Sequence, residues 1–334
     1  MAAITDCPFR TLMRSLGCGP MITELVSAHG LEYKSAKTHR LMEFAEPHRP
    51  IGIQLFGETP DVIARGAVIA QETGADFIDL NFGCPVPKVV KKGAGSAILR
   101  DLPRVRATFR TVRAAIRIPL TVKIRTGWDE ATRTADQVAQ IAYDEGLTWV
   151  AIHGRTRAAG YSGLADWDYI AEVKAKAKIP ILGNGDIASA AQAVERLRET
   201  GVDGVMIGRG CLKNPWIFRE ALRLWNPGAA AVQEELSSED AIGDHGFETL
   251  FVRMRAAYEL TDASPDRKIT LIQLRKFASW YSAGYPGASN FRKALFQTES
   301  IEQTMQLALG YFGELRAVMQ SDTSRDAFLM GGHG

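Results

Sequence analysis

Cysteine is scarce and scattered in this chain of 334 residues: Cys7, Cys18, Cys84 and Cys211 are the full set. None forms a C-x-x-C pair or stands beside a spaced pair of histidines. A disulfide framework and a zinc site are therefore poor readings, no metal is expected, and a reducing cytoplasm suits the pattern. No run of roughly 18 or more apolar residues occurs, which argues against a membrane-spanning helix. The opening "MAAITDCPFR" lacks the basic stretch and long apolar core of a secretory signal. No G-x-G-x-x-G follows an early strand, as a dinucleotide-binding doubly wound sheet would require. Net charge is also small, with 40 Lys and Arg against 38 Asp and Glu. The charges are segregated, however. Residues 231 to 252 hold six acids and no Lys or Arg, whereas 253 to 293 hold eight Lys or Arg against three acids. The second stretch reads as a surface for an anionic partner.

What is present is ordinary globular material, 46% hydrophobic and 23% charged, enough for one large domain and a smaller one. Short apolar runs recur: "MITELV" (21–26), "IGIQLF" (51–56), "FIDLNF" (77–82), "LTVKIR" (120–125), "TWVAIH" (148–153), "IPILGN" (179–184) and "DGVMIG" (203–208). Helical patterns such as "DVIARGAVIAQETG" lie between them and often stop at Gly before the next strand. Strands alternating with helices imply a parallel sheet. Seven clear strands and a short one at "MAAI" make eight, and roughly 225 residues is the size of a TIM (β/α)8 barrel. The repeat stops near Trp225, "NPGAAAVQEELSSED" reads as a linker, and 240–320 is helical in period. The expected organisation is α/β: a TIM barrel over residues 1–230, then a small C-terminal helical domain with a flexible tail over 231–334.

Chemistry in a barrel belongs at the C-terminal strand ends. Those ends carry Gln54, Asn81 with Cys84 just beyond, Lys123 with Arg125, His153, then Asn184-Gly185-Asp186 and Gly208-Arg209-Gly210. Each has a bland alternative taken singly, as a packing histidine, a rim charge or a tight turn. Their agreement under one fold points to a site. The glycine-rich "GNGD" and "GRG" after the last two strands offer unobstructed backbone amides, the usual phosphate cradle of this fold, with Arg209 available for a charge-assisted contact. Lys123, His153 and Gln54 would face whatever the phosphate carries. A cation there can stabilise an anionic reduced flavin, which suggests FMN over a sugar phosphate. Cys84 stands in "LNFGCPVPK", and its spacing alone leaves nucleophile, proton donor and buried small hydrophobe open.

With these motifs in view, the chain resembles the tRNA-dihydrouridine synthases from Met1 to about Phe296. "MAAITDCPFR", "LNFGCPVPKVVKKGAGSAIL", "VKIRTGW", "IHGRTR", "GNGDI", "IGRGCLKNPWIF" and "LRKFASWYSAGYPGAS" carry the likeness. The resemblance implies a flavoenzyme that reduces uridine in tRNA to dihydrouridine with NADPH. FMN would be held by Met1, Ala2, Gln54, Lys123, His153, Asn184, Gly185, Asp186, Gly208 and Arg209. Asn81 and Arg125 would face the uracil. Cys84 would be the general acid, since an ordinary thiol is protonated at neutral pH and able to donate. "PKVVKKGAG", with Gly93 and Gly95 as hinges, would be a basic lid.

Lys276 and Trp280, four apart on one helix, would contact tRNA by charge and stacking, with Arg275, Tyr281, Arg292 and Lys293 as further candidates. Arg106, Arg110, Arg113 and Arg117 read as a solvated outer stripe. Two departures stand out. The chain starts at the "MAA" of the expected first strand, without the roughly ten residues a full strand and lead-in would add, and Phe277 replaces a histidine common after the basic pair. Two rivals remain: an FMN barrel acting on a small molecule, of dihydroorotate dehydrogenase or ene-reductase type, and a tRNA-binding or folding-assisting protein without activity. A monomer is the expected state.

Overall fold

The computed structural model describes residues 1–2, 4–227, 246–264 and 267–315. Its centre is a curled parallel sheet of seven strands in chain order: β1 (Met21–Ser27), β2 (Ile51–Phe56), β3 (Phe77–Phe82), β4 (Leu120–Arg125), β5 (Val150–His153), β6 (Ile181–Asn184) and β7 (Gly204–Met206). The strands are nearly continuous apolar runs because both faces are covered, one by the barrel interior and one by helices. Helix α1 (Cys7–Ser15) precedes the sheet, and α2 (Ala28–Glu32) and α3 (Ala36–Arg40) follow β1. Then come α4 (Pro60–Glu72), α5 (Pro87–Val90), α6 (Leu102–Ala115), α7 (Ala135–Asp144), α8 (Trp167–Lys176), α9 (Ala190–Thr200) and α10 (Ile217–Trp225).

Local chemistry explains these elements. The Thr59 hydroxyl accepts the Val62 N–H at the start of α4, and Pro60 supplies a preset first turn. Ile63, Gly66, Ala67 and Ala70 then recur at three- and four-residue spacing and are buried toward the sheet. Gly66 permits close approach to α2, because a Cβ there would stand 2.8 Å from that of Ala28.

The expected strand at "MAAI" is absent among the described residues. The N–H groups of Ile4 and Thr5 both donate to the Met1 carbonyl, at 3.1 and 3.0 Å, so the segment turns on itself and pairs with neither β1 nor β7. Backbone groups bonded locally in this way are not available to a neighbouring strand's ladder. The sheet therefore has seven strands where eight were expected, and the TIM-barrel-like α/β class stands.

Among the described residues four further helices follow: α11 (Phe247–Thr261), α12 (Lys268–Tyr281), α13 (Ala288–Leu295) and α14 (Ile301–Glu314). The proposed boundary at 230/231, most of the linker and the tail beyond 315 lie outside the described residues. No described helix is long and apolar enough to cross a membrane. The helices dock on α1 through Asp6, whose carboxylate accepts the Phe9 N–H at 3.0 Å as the cap of α1. The same carboxylate accepts the Tyr258 hydroxyl at 3.0 Å and, at 3.4 Å, the Gln273 amide. Beside it the rings of Phe9 and Phe277 stack at 5.2 Å. Phe277 is thus a core residue of this junction.

Replacing Asp6 by Ala removes a helix cap and strands the buried Tyr258 hydroxyl together. The expected loss is about 1–3 kcal/mol, read as a lower thermal midpoint. Tyr258→Phe leaves the cap in place and is expected to cost less; equal losses would mean the cap contributes nothing.

Candidate active site at the barrel mouth

Strand register gathers the polar residues into adjoining layers. Gln54 pairs with Asp79, Asn81 with Lys123, Arg125 with His153, His153 with Asn184, and Asn184 with Met206. Lys123 and Arg125 are two apart on one strand and so share its face.

The Cys84 loop is pinned from three sides. The Asn81 side-chain oxygen accepts the N–H of Cys84 at 2.8 Å and of Gly83 at 3.2 Å, an Asx turn built directly on the end of β3. Arg125 donates through Nε to the Gly83 carbonyl at 2.9 Å, and through Nη1 to the carbonyls of Thr156 and Gly160, each at 2.7 Å. The Cys84 carbonyl accepts the N–H and the hydroxyl of Ser96 at 3.1 and 2.9 Å. Gly95 packs beneath it at φ 60°, where a Cβ would stand 2.8 Å from that carbonyl. Expected as a hinge, Gly95 is a buried close-approach glycine. Burial pushes the Cys84 thiol above its ordinary pKa, against weaker opposing pulls from the Val86 N–H and Arg125. The thiol is held, half-buried and protonated.

Lys123 is the opposite case. Among the described residues its ammonium makes no hydrogen bond or ion pair, and protein encloses it on nearly every side although a little of its surface reaches solvent. Desolvation and the neighbouring Arg125 push its pKa down to about 7, with Asp79 pulling weakly the other way. His153 is driven well below its ordinary range by burial first, then by Lys123, Arg125, Arg155 and Arg209. It is therefore neutral, with Nε2 at 3.4 Å from Arg155 Nη1.

The "GNGD" and "GRG" loops meet beside it. Arg155, only 4% exposed, holds Asp186 in a fork, with Nη1 and Nη2 each donating at 2.8 Å. Asp186 also accepts the Ala165 N–H at 2.7 Å and takes the left-handed φ of 53°. Asn184 donates to the Met206 carbonyl at 2.7 Å. Gly185 has no room for a side chain, since a Cβ would lie 2.5 Å from that of Ala165. The N–H groups of Gly185, Asp186 and Gly208 find no protein acceptor among the described residues. Orphaned amides, a glycine cradle and an unpaired ammonium fit a phosphorylated anionic group such as FMN.

The structure brings Gln54, Asn81, Cys84, Lys123, Arg125, His153, Asn184, Gly185, Asp186, Gly208 and Arg209 to one mouth. Met1 reaches it from the N-terminus, with its Sδ 3.8 Å from a Cβ built on Gly208, whereas Ala2 is exposed. Asp186 is engaged by Arg155, and Arg125 by backbone carbonyls, so both act here by shaping loops. Lys276 lies 5.2 Å from the Trp280 ring centre, the charge-and-ring pairing that their spacing implied, but Trp280 also packs edge-on against Phe277. Tyr281 is fully buried and cannot meet an RNA. Two of the four stripe arginines are ion-paired: Arg106 with Asp144 and Glu145, and Arg110 with Glu145.

Sequence reasoning missed three residues. Asp79 is a carboxylate in the middle of the mostly apolar β3, a visible oddity, and burial raises its pKa to about 6. Arg155 stood within the "IHGRTR" motif. Tyr161 carried no signal, yet its ring lies 4.8 Å from the Arg209 guanidinium and 5.6 Å from that of Arg125.

A family profile described as dihydrouridine synthase (Dus) matches residues 1–314. A "Probable tRNA-dihydrouridine synthase" of Rickettsia prowazekii is 37% identical over 297 residues, 87% of this chain and 86% of the relative. "tRNA-dihydrouridine synthase B" of Xanthomonas campestris is 36% identical over 317 residues, covering 95% and 92%. "Probable tRNA-dihydrouridine synthase 1" of Synechocystis is 38% identical over 312 residues, covering 92% and 83%.

The depressed Lys123 pKa has a stability consequence. Between about 7 in the folded chain and the ordinary 10.5, the unfolded chain binds the extra proton, so this group adds stability as pH rises through that window. The thermal midpoint of flavin-free protein is expected to gain from this between pH 7 and 9, and Lys123→Met to flatten the gain. An unchanged slope in the variant would contradict the assignment.

Proposed function

The chain belongs to the dihydrouridine synthase family, and we propose that it reduces uridine in tRNA to 5,6-dihydrouridine, with bound FMN and with NADPH as reductant. The names of the curated relatives support the tRNA substrate. The observation that carries the chemical reading is Cys84: a thiol kept protonated by burial, on a loop tied to the barrel end by Asn81 and Arg125.

When bound, FMN would supply hydride to C6 of the uracil after reduction by NADPH. The protein's own residues do the rest. Adding hydride consumes the C5=C6 bond and leaves enolate character across C5 and O4. Cys84 Sγ donates its proton to C5, and the thiolate recovers one from water, so the sum is one hydride and one proton added. Lys123 and the neutral His153 would hold the polar part of the flavin, where an ammonium would favour added negative charge. Amides of Gly185, Asp186 and Gly208, together with Arg209, would take the phosphate, while Gln54, Asn184, Met1 and Ala2 would complete the cradle.

The target base must leave its stack to reach this mouth. Recognition then rests on tRNA shape and phosphates. Lys276 and Trp280 on α12, with Arg275, Arg292 and Lys293, form the contact surface, and Lys88, Lys91 and Lys92 approach phosphate beside Cys84. We further propose that the barrel over 1–230 and the helices over 231–334 act as catalytic and tRNA-binding units, in a cytoplasmic monomer.

The reading is tested anaerobically. Flavin reduced by NADPH is expected to be reoxidised by unmodified tRNA and not by free uridine or orotate; reoxidation by orotate would make the chain a small-molecule reductase. Cys84→Ala is expected to lower tRNA-dependent turnover about 10²–10⁴-fold while the flavin stays bound. In the wild type, activity should hold at neutral pH and fall as pH rises through the raised thiol pKa. That alkaline limb should vanish in the variant, and full turnover without Cys84 would end its role as acid.

A further inference from the structure

We propose that Asp79 is a positioning residue for the Cys84 loop. As an acceptor-only anchor below the mouth, it orients the Gln54 and Asn81 amides and through them holds the backbone at Cys84. This rests on the reading of Cys84 as the proton donor.

The bonds run in one continuous chain. Thr121 Oγ1 donates to Asp79 Oδ1 at 2.6 Å, and Gln54 Nε2 donates to Asp79 Oδ2 at 2.7 Å. Asn81 Nδ2 donates to Gln54 Oε1 at 2.9 Å, which turns Asn81 Oδ1 toward the N–H groups of Gly83 and Cys84. The two ends have fixed polarity. An ionised carboxylate can only accept, and a backbone N–H can only donate. Between them, each side-chain amide has one orientation that satisfies both neighbours. Reversing either would set N–H against N–H or oxygen against oxygen in a buried place, where an unmet polar group is costly. Asp79 is fully buried on β3, two residues before Asn81, and is paired across the sheet with Gln54 and Thr121. It reaches the Cys84 loop only through Gln54 and Asn81, and the cofactor cradle through Gln54 and a weak electrostatic pull on Lys123.

The chain yields a non-additive signature. In Asp79→Asn, the new amide can keep its oxygen toward Gln54 and give its NH2 to the Thr121 hydroxyl, which can turn its proton to the Ile78 carbonyl at 3.3 Å. Polarity survives. In Thr121→Val, the carboxylate still accepts from Gln54, and polarity survives again. In the double variant the NH2 of the introduced amide meets only the methyls of the introduced valine, so the polarity of the chain is no longer fixed at this end and a polar group goes unmet in either orientation of the amides. In the reversed orientation the unmet contact falls at Asn81 against the Cys84 N–H, which loosens the loop. All three variants are close to isosteric, which keeps folding out of the comparison.

Two measurements test this. The first is alkylation of Cys84 by iodoacetamide at fixed pH, followed by peptide mass spectrometry on the purified proteins. Each single variant is expected within about threefold of wild type and the double about tenfold faster, as the loop loses its tether. The second separates the half-reactions, each protein's reoxidation by tRNA being read relative to its own reduction of bound flavin by NADPH: that ratio is expected within about twofold of wild type in the single variants and to fall about tenfold or more in the double alone. Effects that merely multiply would overturn the proposal. So would Asp79→Asn alone matching the double, which would make charge at position 79 the cause, or loss of flavin from the double. A wild type that tRNA does not reoxidise would refute the functional reading, and the alkylation series would still decide the role of Asp79.

Discussion

Four cationic side chains, Lys123, Arg125, Arg155 and Arg209, converge on one neutral histidine at the end of a barrel that admits little water. Like charges in a desolvated place are costly unless each is answered. Arg155 is answered by Asp186, and Arg125 by three backbone carbonyls. Lys123 is answered by nothing among the described residues beyond the distant pull of Asp79, and burial lowers its pKa accordingly. The mouth therefore holds an ammonium whose charge burial disfavours and a neighbouring anion would favour. The glycine loops beside it follow from the same constraint, because backbone amides can reach an anion only where no side chain intervenes.

Against that electrostatic background the Cys84 loop is a separate device. Burial acts on it in the opposite chemical sense, raising the thiol's pKa and keeping the proton on sulfur. The loop is held by amide and guanidinium contacts that fix its backbone and leave the thiol free to act. Arg125 serves both halves, adding charge to the cation cluster while bonding the carbonyl of Gly83. One strand end thus couples the group that would stabilise a reduced cofactor to the group that would donate a proton. The proposed delivery of hydride and proton to adjacent carbons would depend on this coupling, since a small displacement of either reacting group lowers a rate steeply.

The C-terminal helices depend on the barrel through Asp6. A residue whose local task is to cap α1 also accepts the Tyr258 hydroxyl, and the stacked rings of Phe9 and Phe277 seal the contact. Beside that junction Lys276 of α12 lies over the Trp280 ring, the pairing proposed above to meet tRNA. The raised Asp6 pKa, caused mainly by burial, is the electrostatic cost of that junction.

Much was legible in the sequence, because alternation of apolar runs with helical periods is a local property: it determined a parallel α/β barrel, the polar strand ends and the family motifs. Cys84 could be ranked above the other cysteines from its loop alone. The tertiary structure decided what depends on partners far apart in the chain. Residues 54, 79, 81 and 121 form one hydrogen-bonded chain only because three strands lie in register, and neither spacing nor composition records that alignment. Tyr281 is a plausible stacking residue by type and a core residue by location, since helix period alone does not say which face meets the barrel. "MAAI" has the composition of a strand, but the N–H groups of Ile4 and Thr5 turn back to the Met1 carbonyl, and a strand exists only where a neighbour takes up its backbone groups.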